Sequence, residues 1–208
     1  MATRERILDA AAHVLGELGL ARATTKEIAR AAGYSEATLY KHFQDKQDLF
    51  LRVLQERAPP FNTALLQLTE RVGQVSVHDT LTDVAATAIE FYVEVFPTAA
   101  GIFAEPELLA AHRAGLAQRE GVGPQLALDV VANYLVAEQA EGRLRADTDS
   151  QAAAALLLGA CFQQAFLVHL APEPTERSAA SVRVSAAAIV RTLLTRLLPE
   201  TEPPLPTR

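Results

Sequence analysis

Helical spacing of apolar residues continues along almost the whole chain. Near the start, Ile7, Ala11, Val14 and Leu18 recur every three or four positions, which places them on one face of an amphipathic α-helix. Similar patterns follow one another to residue 198, and no stretch alternates apolar and polar residues for long enough to predict a strand. The sequence therefore predicts an all-α fold.

The patterns of common catalytic and metal sites are missing. Cys161 is the single cysteine, which excludes an internal disulfide and a multi-cysteine zinc site, and we expect it to be a buried small hydrophobe. No two histidines stand four positions apart, and the sequence has no nucleophile elbow, P-loop or dinucleotide-binding fingerprint. We expect no enzymatic activity, no metal and no cofactor.

The N-terminus and the apolar stretches bear on localisation. The first residues lack the pattern of a signal peptide. The longest apolar run, Ala152 to Phe162, is too short to span a bilayer and is followed by Gln163 and Gln164. We expect a soluble, cytoplasmic protein.

Charge is distributed unevenly along the 208 residues. Residues 1–58 carry nine Lys and Arg against eight Asp and Glu, whereas residues 59–208 carry ten against seventeen. The three lysines of the chain, Lys26, Lys41 and Lys46, all lie in the first part. Such asymmetry can mark different partners for the two segments, although three lysines alone also fit chance.

Helix-boundary signals divide the first 60 residues into short helices. Gly19 ends the first helix, and Thr24 with Glu27 forms a capping box that begins the second. Gly33 closes the second helix, a third is predicted from Glu36 to Phe43, and Asp45 caps a longer fourth helix that Pro59-Pro60 interrupts. A tight glycine-containing turn between two short helices predicts a helix-turn-helix.

Six further helices are predicted after residue 60. Their ranges are 61–75, 80–96, 104–120, 123–141, 148–170 and 178–198. The predicted joints are Pro97, Gly101, Pro106, Gly121, Gly123-Pro124, Gly142, and Pro172 with Pro174. The last ten residues contain four prolines and are expected to form a frayed tail.

One run of residues carries a specific resemblance. Residues 23–50 closely resemble the N-terminal DNA-binding domain of the TetR family of one-component repressors, and the match extends over about residues 5–54. Its distinctive pieces are Thr24-Thr25, Ile28-Ala29, Ala32-Gly33, Ser35, Thr38-Leu39-Tyr40, His42-Phe43, Lys46 and Leu49-Phe50. The resemblance implies a three-helix helix-turn-helix DNA-binding domain at 1–46, an all-helical ligand-binding and dimerisation domain at 47–198, and a Pro-rich tail at 199–208.

The chemistry of the run also suits DNA. The first residues of a recognition helix meet base edges, where Glu36 can accept from a cytosine amino group and the methyl groups of Ala37 and Thr38 can contact a thymine methyl. The resemblance makes Tyr40, His42 and Lys46 phosphate contacts. The full predicted DNA-binding set is Thr24, Thr25, Lys26, Ser35, Glu36, Ala37, Thr38, Tyr40, Lys41, His42 and Lys46.

Structural alternatives exist for several of these residues. Tyr40 could lie at the edge of the core, His42 could be a packing histidine, and Lys46 could be a solvated charge. Glu36 could simply stabilise the start of its helix through the helix dipole.

The second domain offers candidates for two further roles. The last two helices carry apolar stripes, which suit packing against a partner copy but are also found in a purely internal helix pair. The resemblance implies that these helices form a dimer interface across a two-fold axis, with the candidate residues Leu156, Gln164, Leu167, Val182, Ala186, Ile189, Leu193 and Leu197. Apolar walls with a few polar groups predict a pocket lined by Phe91, Tyr92, Phe96, Phe103, His112, Tyr134, Phe162, Gln163 and Phe166, although an ordinary core has the same composition. No basic cluster argues for a strongly anionic ligand, so a neutral or cationic lipophilic molecule is favoured.

The combined prediction is a bacterial transcriptional regulator, most simply a repressor. It would bind a palindromic double-stranded DNA operator as a homodimer and be released by a small lipophilic effector. Two alternatives stay open at this point: an all-helical protein–protein adaptor, and a constitutive repressor without an effector.

Overall fold

The computed structural model describes residues 2–20, 22–56, 61–117, 123–171 and 178–199. All regular secondary structure in these ranges is helical, which confirms the all-α prediction. The helices are α1 Thr3–Leu18, α2 Thr25–Ala32, α3 Glu36–Leu39, α4 Lys46–Glu56, α5 Phe61–Leu66, α6 Leu68–Arg71, α7 Val77–Ala104, α8 Pro106–Ala117, α9 Pro124–Ala140, α10 Ser150–Leu170 and α11 Ala179–Leu197.

Local capping interactions fix the helices of the N-terminal part. Thr24 accepts from the backbone N–H of Glu27 while the Glu27 carboxylate accepts from the Thr24 N–H, so the predicted capping box is present. The Ser35 side chain accepts from the Thr38 N–H at 3.2 Å, and Asp45 accepts from the Asp48 N–H at 2.7 Å. These bonds satisfy backbone donors that helices α2, α3 and α4 would otherwise leave unpaired.

Two compact units make up the chain. The first comprises Met1–Pro60, Glu90–Gly123 and Ala165–Leu170, and the second comprises Phe61–Ile89, Pro124–Gln164 and Ala171–Arg208. The domain limits set from the sequence, at 46 and 198, remain predictions. Of the predicted tail, only Pro199 is described, and residues 200–208 lie outside the described part of the chain.

The core of the first unit joins the N-terminal helices to the end of α7 and the start of α8. Leu39 and Phe43 point inward, 0% and 2% exposed, and pack with Ile28 and Leu49 as predicted. Ile102 and Leu108 belong to the same buried cluster. The members of this cluster from the N-terminal part are Ile7, Leu8, Ala11, Val14, Leu15, Leu20, Ala23, Ile28, Ala29, Ala32, Leu39, Phe43, Leu49, Phe50 and Val53. The three short helices are thereby held by a core that extends beyond them in sequence.

Several predicted helix limits are wrong. The third helix ends at Leu39 rather than Phe43, because the N–H groups of Lys41 and His42 bond to carbonyls three positions back, in the tighter geometry of a turn. The helix predicted at 61–75 is broken at Gln67 into α5 and α6 and ends at Arg71. The joints predicted at Pro59-Pro60, Gly121, Pro172 and Pro174 lie outside the described residues.

Pro97 does not separate two helices as predicted but lies inside α7. Proline has no N–H, so the Val93 carbonyl one turn earlier loses its helical donor. The His169 imidazole nitrogen Nε2 lies 2.8 Å from that carbonyl oxygen and donates in its place, and the His169 ring stacks on Phe96 with centroids 5.3 Å apart. A side chain from α10 therefore supplies the hydrogen bond that makes the proline tolerable in α7.

Gly101, a second predicted joint, also lies inside α7 and marks a close contact. A Cβ atom added to Gly101 would lie 2.5 Å from the Leu20 Cβ, closer than carbon atoms can approach. The missing side chain therefore lets α7 pack against the segment between α1 and α2, within the first unit.

Substitution of Gly101 tests this contact. We expect Gly101→Ala to lower the free energy of unfolding by about 1–3 kcal/mol, because Leu20 must move to admit the new methyl group. Gly16→Ala is the matched control, since its Cβ would meet nothing within 4 Å inside helix α1 and should raise stability by about 1 kcal/mol. Denaturant titration of both variants measures the difference, and equal effects would contradict the packing.

Candidate functional site

The segment from Ser35 to Phe43 alternates between core and solvent. Leu39 and Phe43 anchor it in the hydrophobic cluster. The remaining side chains lie toward solvent: Ser35, Glu36, Ala37, Tyr40, Lys41 and His42 are exposed and Thr38 is half-buried. The anchored face thus fixes the orientation of an exposed polar face, which is what a groove-reading element requires.

Three of the predicted DNA-binding side chains form one hydrogen-bonded chain. The Tyr40 hydroxyl donates to the Thr25 oxygen Oγ1 at 3.3 Å, and the Thr25 hydroxyl donates to the Glu36 oxygen Oε1 at 2.5 Å. Thr25 is only 8% exposed, whereas Tyr40 is 47% exposed. Residues from α2 and from the α3 segment therefore share one polar patch, which we call the Thr25 patch.

The three lysines of the predicted DNA-binding set differ in their exposure. Lys26 and Lys41 are exposed, and Lys46 lies over the Phe50 ring with its amino nitrogen 5.1 Å from the centroid. That contact keeps the Lys46 side chain half-buried at the start of α4. One of the N–H groups at the start of α4 is already paired within the chain, since Asp45 accepts from the Asp48 N–H.

Tyr40 and His42, for which structural roles were the alternatives, both have exposed side chains. Tyr40 does lie at the edge of the core, but its hydroxyl reaches Thr25 and close to half of its surface is exposed. His42 is exposed rather than packed inside. The DNA contacts themselves remain predictions.

Two sequence-family models match this chain. The model of the bacterial regulatory proteins of the tetR family matches residues 7–53, and the model of the C-terminal domain of AefR-like transcriptional repressors matches residues 98–196. The chain belongs to the TetR family. The resemblance inferred from the helix-turn-helix run is thereby confirmed, together with a helical second part.

Curated relatives match mainly the N-terminal part. The HTH-type transcriptional regulator YvkB of Bacillus subtilis is 45% identical over 56 residues, which is 27% of this chain and 30% of that protein. The regulator AcrR of Shigella flexneri is 41% identical over 51 residues, which is 24% of each chain. The chain thus spans less than a third of the length of either relative.

Solved structures resemble the chain over nearly its full length. A TetR-family transcriptional regulator from Mesorhizobium loti has a TM-score of 0.73 and 22% identity, covering 95% of this chain and 97% of its own. The structure of SmeT, the repressor of the Stenotrophomonas maltophilia multidrug efflux pump SmeDEF, has a TM-score of 0.65 and 23% identity, covering 96% and 92%. At these identities the comparison establishes the TetR-family fold.

A shallow apolar groove runs between α10 and α11 in the second unit. It encloses about 840 Å³ and is lined by Arg145, Asp147, Thr148, Asp149, Ala152, Ala153, Leu156, Leu157, Ala160, Ala188, Ile189, Thr192, Leu193, Arg196 and Leu197. Leu156 is 66% exposed and Val184 on α11 is 71% exposed. Exposed apolar side chains of this size on both helices leave apolar surface that the single chain does not cover.

The predicted dimer residues divide into two groups. Leu156, Ile189 and Leu193 line the groove, and Leu167 is 49% exposed further along α10. Val182 and Ala186 are buried in the core of the single chain, and Gln164 is half-buried. Leu197 also lines the groove but is only 7% exposed. The exposed members are the ones that a partner could contact directly.

Helix α10 is the one described helix with the length and composition of a membrane span, which is weak evidence by itself. Only 33% of its apolar stretch is buried within the chain. The exposed remainder includes Leu156, Phe166 and Leu170. An apolar helix with so much exposed surface needs a cover that the single chain does not provide.

The predicted pocket residues are spread over both units. The first unit contains Phe91, Tyr92, Phe96, Phe103, His112 and Phe166, and the second contains Tyr134, Phe162 and Gln163. Phe96 and Phe166 meet edge to face with centroids 5.8 Å apart, and Phe91 meets Tyr92 at 5.4 Å. Phe103 is 70% exposed. The structure thus gathers Phe96 and Phe166 with His169, a residue outside the predicted set.

A buried polar cluster in the second unit was missed by the sequence reasoning, apart from Tyr134. Glu138 is fully buried and accepts from Arg143 at 2.6 and 2.7 Å. Burial raises the pKa of the nearby Tyr134 to about 12, so its hydroxyl stays protonated. That hydroxyl interacts with the Thr80 hydroxyl and the Glu138 carboxylate, although among the described residues neither hydroxyl makes a hydrogen bond of normal geometry. The burial of Glu138 could not be predicted from the sequence, because a glutamate on an amphipathic helix is usually exposed.

Cys161 is fully buried in α10, as predicted. Burial raises the pKa of its thiol to about 12. The reactive thiolate is therefore scarce at neutral pH, and a packing role explains the residue.

Proposed function

We propose that this TetR-family protein is a repressor that binds a palindromic DNA operator as a homodimer. The observation that carries the proposal is the exposed polar face from Ser35 to His42, fixed by Leu39 and Phe43 in the core. A face held this way keeps its shape when it enters a major groove, so binding costs little conformational entropy.

The proposed contacts fall into two classes. Glu36, Ala37 and Thr38 reach base edges and discriminate sequence. Phosphate contacts set affinity and register, and their hydroxyl, imidazole and ammonium donors are Thr24, Thr25, Lys26, Ser35, Tyr40, Lys41, His42 and Lys46. The net negative charge of residues 59–208 does not oppose this assignment, because all three lysines lie within the first 46 residues.

The groove between α10 and α11 supports a two-fold dimer in the cytoplasm. Its apolar floor and its rim of Arg145, Asp147, Asp149 and Arg196 carry both signs of charge. Such a surface can complement a second copy of itself. In a two-fold contact, an arginine of one copy that meets an aspartate of the other is matched by the same contact with the two copies exchanged. A dimer would also present two recognition segments to two half-sites.

The proposed effector is a neutral or cationic lipophilic molecule bound near the aromatic side chains of α7. The described part of the first unit places Phe96, Phe166 and His169 together. The same unit links α7 and α8 to the DNA-binding helices through the buried Ile102 and Leu108. A ligand that binds one arrangement of α7 more tightly would shift the population away from the DNA-binding state.

Alanine substitution of Tyr40 and of Lys46 tests the DNA-binding assignment. We expect each variant to bind a DNA duplex about tenfold more weakly, because each removes a phosphate contact. Lys46→Ala should also reduce the dependence of the affinity on salt, because it removes a positive charge, whereas Tyr40→Ala should leave that dependence nearly unchanged. Fluorescence anisotropy at two salt concentrations measures both quantities. Arg191→Ala is the control, since it removes an exposed charge on α11.

Two outcomes would contradict the assignment. Unchanged affinity in Tyr40→Ala and Lys46→Ala would exclude these residues from the interface. Tight binding that does not weaken with added salt would argue against phosphate contacts altogether. Failure of any lipophilic compound to release bound DNA would favour the constitutive repressor instead.

A further inference from the structure

Glu36 is the acidic residue in the proposed DNA-binding set, and it is already bonded to another member of that set. Its oxygen Oε1 accepts the proton of the Thr25 hydroxyl, and the Thr25 oxygen in turn accepts the proton of Tyr40. The Glu36 carboxylate thus already accepts the hydroxyl proton that Thr25 would donate to a phosphate oxygen. A hydroxyl has one proton to donate, so Thr25 cannot serve Glu36 and a phosphate at the same time.

The burial of Thr25 leaves its hydroxyl no room to bond to Glu36 and a phosphate together. Thr25 is 8% exposed, and its hydroxyl is held between Tyr40 on one side and Glu36 on the other. Glu36 itself is exposed and can swing away from α2 without disturbing the core. The carboxylate is therefore the member of the chain that has to move when a phosphate approaches.

We propose that Glu36 determines specificity by competing with the DNA phosphate for the Thr25 patch. This inference rests on the proposed DNA-binding function. On a random sequence, the phosphate displaces Glu36 and leaves a carboxylate near DNA without a donor, which is unfavourable. On the operator, a cytosine amino group at the facing position donates to the displaced carboxylate and replaces the lost hydrogen bond.

The competition therefore weakens binding to random DNA more than binding to the operator. A glutamine at position 36 should reduce the discrimination between operator and random DNA for two reasons. The amide oxygen of a glutamine accepts hydrogen bonds more weakly than a carboxylate does, so it would yield the Thr25 hydroxyl to phosphate more readily on every sequence. The amide is also not repelled by the DNA, and because it both donates and accepts, it would relax the requirement for a cytosine at the facing base pair.

The test compares Glu36→Gln with the wild-type protein on two duplexes. One duplex has a random sequence, and the other carries the palindrome enriched when the wild-type protein selects from a random-sequence library. We expect Glu36→Gln to bind the random duplex about tenfold more tightly, and we expect the ratio of the two affinities to fall by a similar factor. Selection with the variant should weaken the preference for cytosine at one position of each half-site.

A matched control separates competition from net charge. Glu17→Gln removes the same charge from an exposed position on α1, where the carboxylate faces His13 at 3.4 Å instead of Thr25. Its effect on the random duplex should be several-fold smaller than that of Glu36→Gln. In a Thr25→Val background the gain from Glu36→Gln should shrink to the Glu17→Gln value, and in a Thr25→Ser background it should persist.

Failure of this inference is distinguishable from failure of the proposed function. Wild-type protein that binds neither duplex would overturn the DNA-binding function and this inference with it. Wild-type binding combined with a Glu36→Gln effect no larger than that of Glu17→Gln would overturn only the role of Glu36. A gain that stays undiminished in the Thr25→Val background would also overturn it, because the competition depends on the Thr25 hydroxyl.

Discussion

Leu156→Glu is expected to convert the proposed dimer to monomers and to reduce operator affinity by orders of magnitude. Leu156 lines the groove between α10 and α11 and is 66% exposed in the single chain. In a two-fold dimer both copies of the new carboxylate would be buried without a partner, at a cost of roughly 3 kcal/mol each. Because the leucine is exposed in the chain itself, the protomer should stay folded.

Leu66→Glu is the matched control for this substitution. Leu66 lies on α5 in the same unit, is 75% exposed and does not line the groove. Sedimentation of both variants over a range of concentrations measures self-association, and anisotropy with a two-half-site duplex measures the lost operator affinity. A Leu156→Glu protein that sediments like the wild type would contradict the proposed interface.

Arg143→Ala is expected to lower the free energy of unfolding by about 3–5 kcal/mol. The guanidinium binds both oxygens of the fully buried Glu138 and also donates to the Val75 carbonyl at 2.8 Å. Its removal leaves a buried carboxylate with no compensating charge and a carbonyl without that donor. Chemical denaturation measures the loss.

A double variant that also removes the buried Glu138 carboxylate tests whether the unpaired charge causes the loss. Glu138→Leu combined with Arg143→Met should recover much of the lost stability, because the pair is then replaced by apolar groups of similar size. Arg191→Ala, at an exposed position of α11, should change stability by less than about 0.5 kcal/mol. A cost for Arg143→Ala no greater than that of Arg191→Ala would contradict the importance of the pair.

Boundaries set by local chemistry were predictable from the sequence. The Thr24 capping box, the Asp45 cap and the Gly33 turn depend on residues within three or four positions, and the structure confirms each. Gly33 has a φ of 78°, a conformation that favours glycine. The helix-turn-helix, and with it the family, could therefore be identified from one short segment.

Boundaries overridden by distant contacts were not predictable. Pro97 and Gly101 are local helix breakers, yet α7 continues through both. His169 supplies the hydrogen bond that the proline cannot, and Leu20 occupies the space that a side chain at position 101 would need. Neither partner is near in sequence, so rules based on neighbouring residues give the wrong answer there.

The Thr25 patch shows the same limit within the candidate site. The sequence placed Thr25, Glu36 and Tyr40 among the DNA-binding residues, but each was considered for a separate contact. Only the packing of α2 against the α3 segment brings their side chains into one hydrogen-bonded chain. The competition proposed for Glu36 follows from that packing and not from the motif.

The most direct test of the account is selection from a random-sequence duplex library by the purified full chain at two salt concentrations, followed by sequencing. The account predicts enrichment of a palindrome with two half-sites about one or more helical turns apart, and weaker retention at the higher salt. Enrichment of a single unrepeated half-site would contradict the dimer, and retention of no sequence at either salt would contradict the proposed operator-binding function itself.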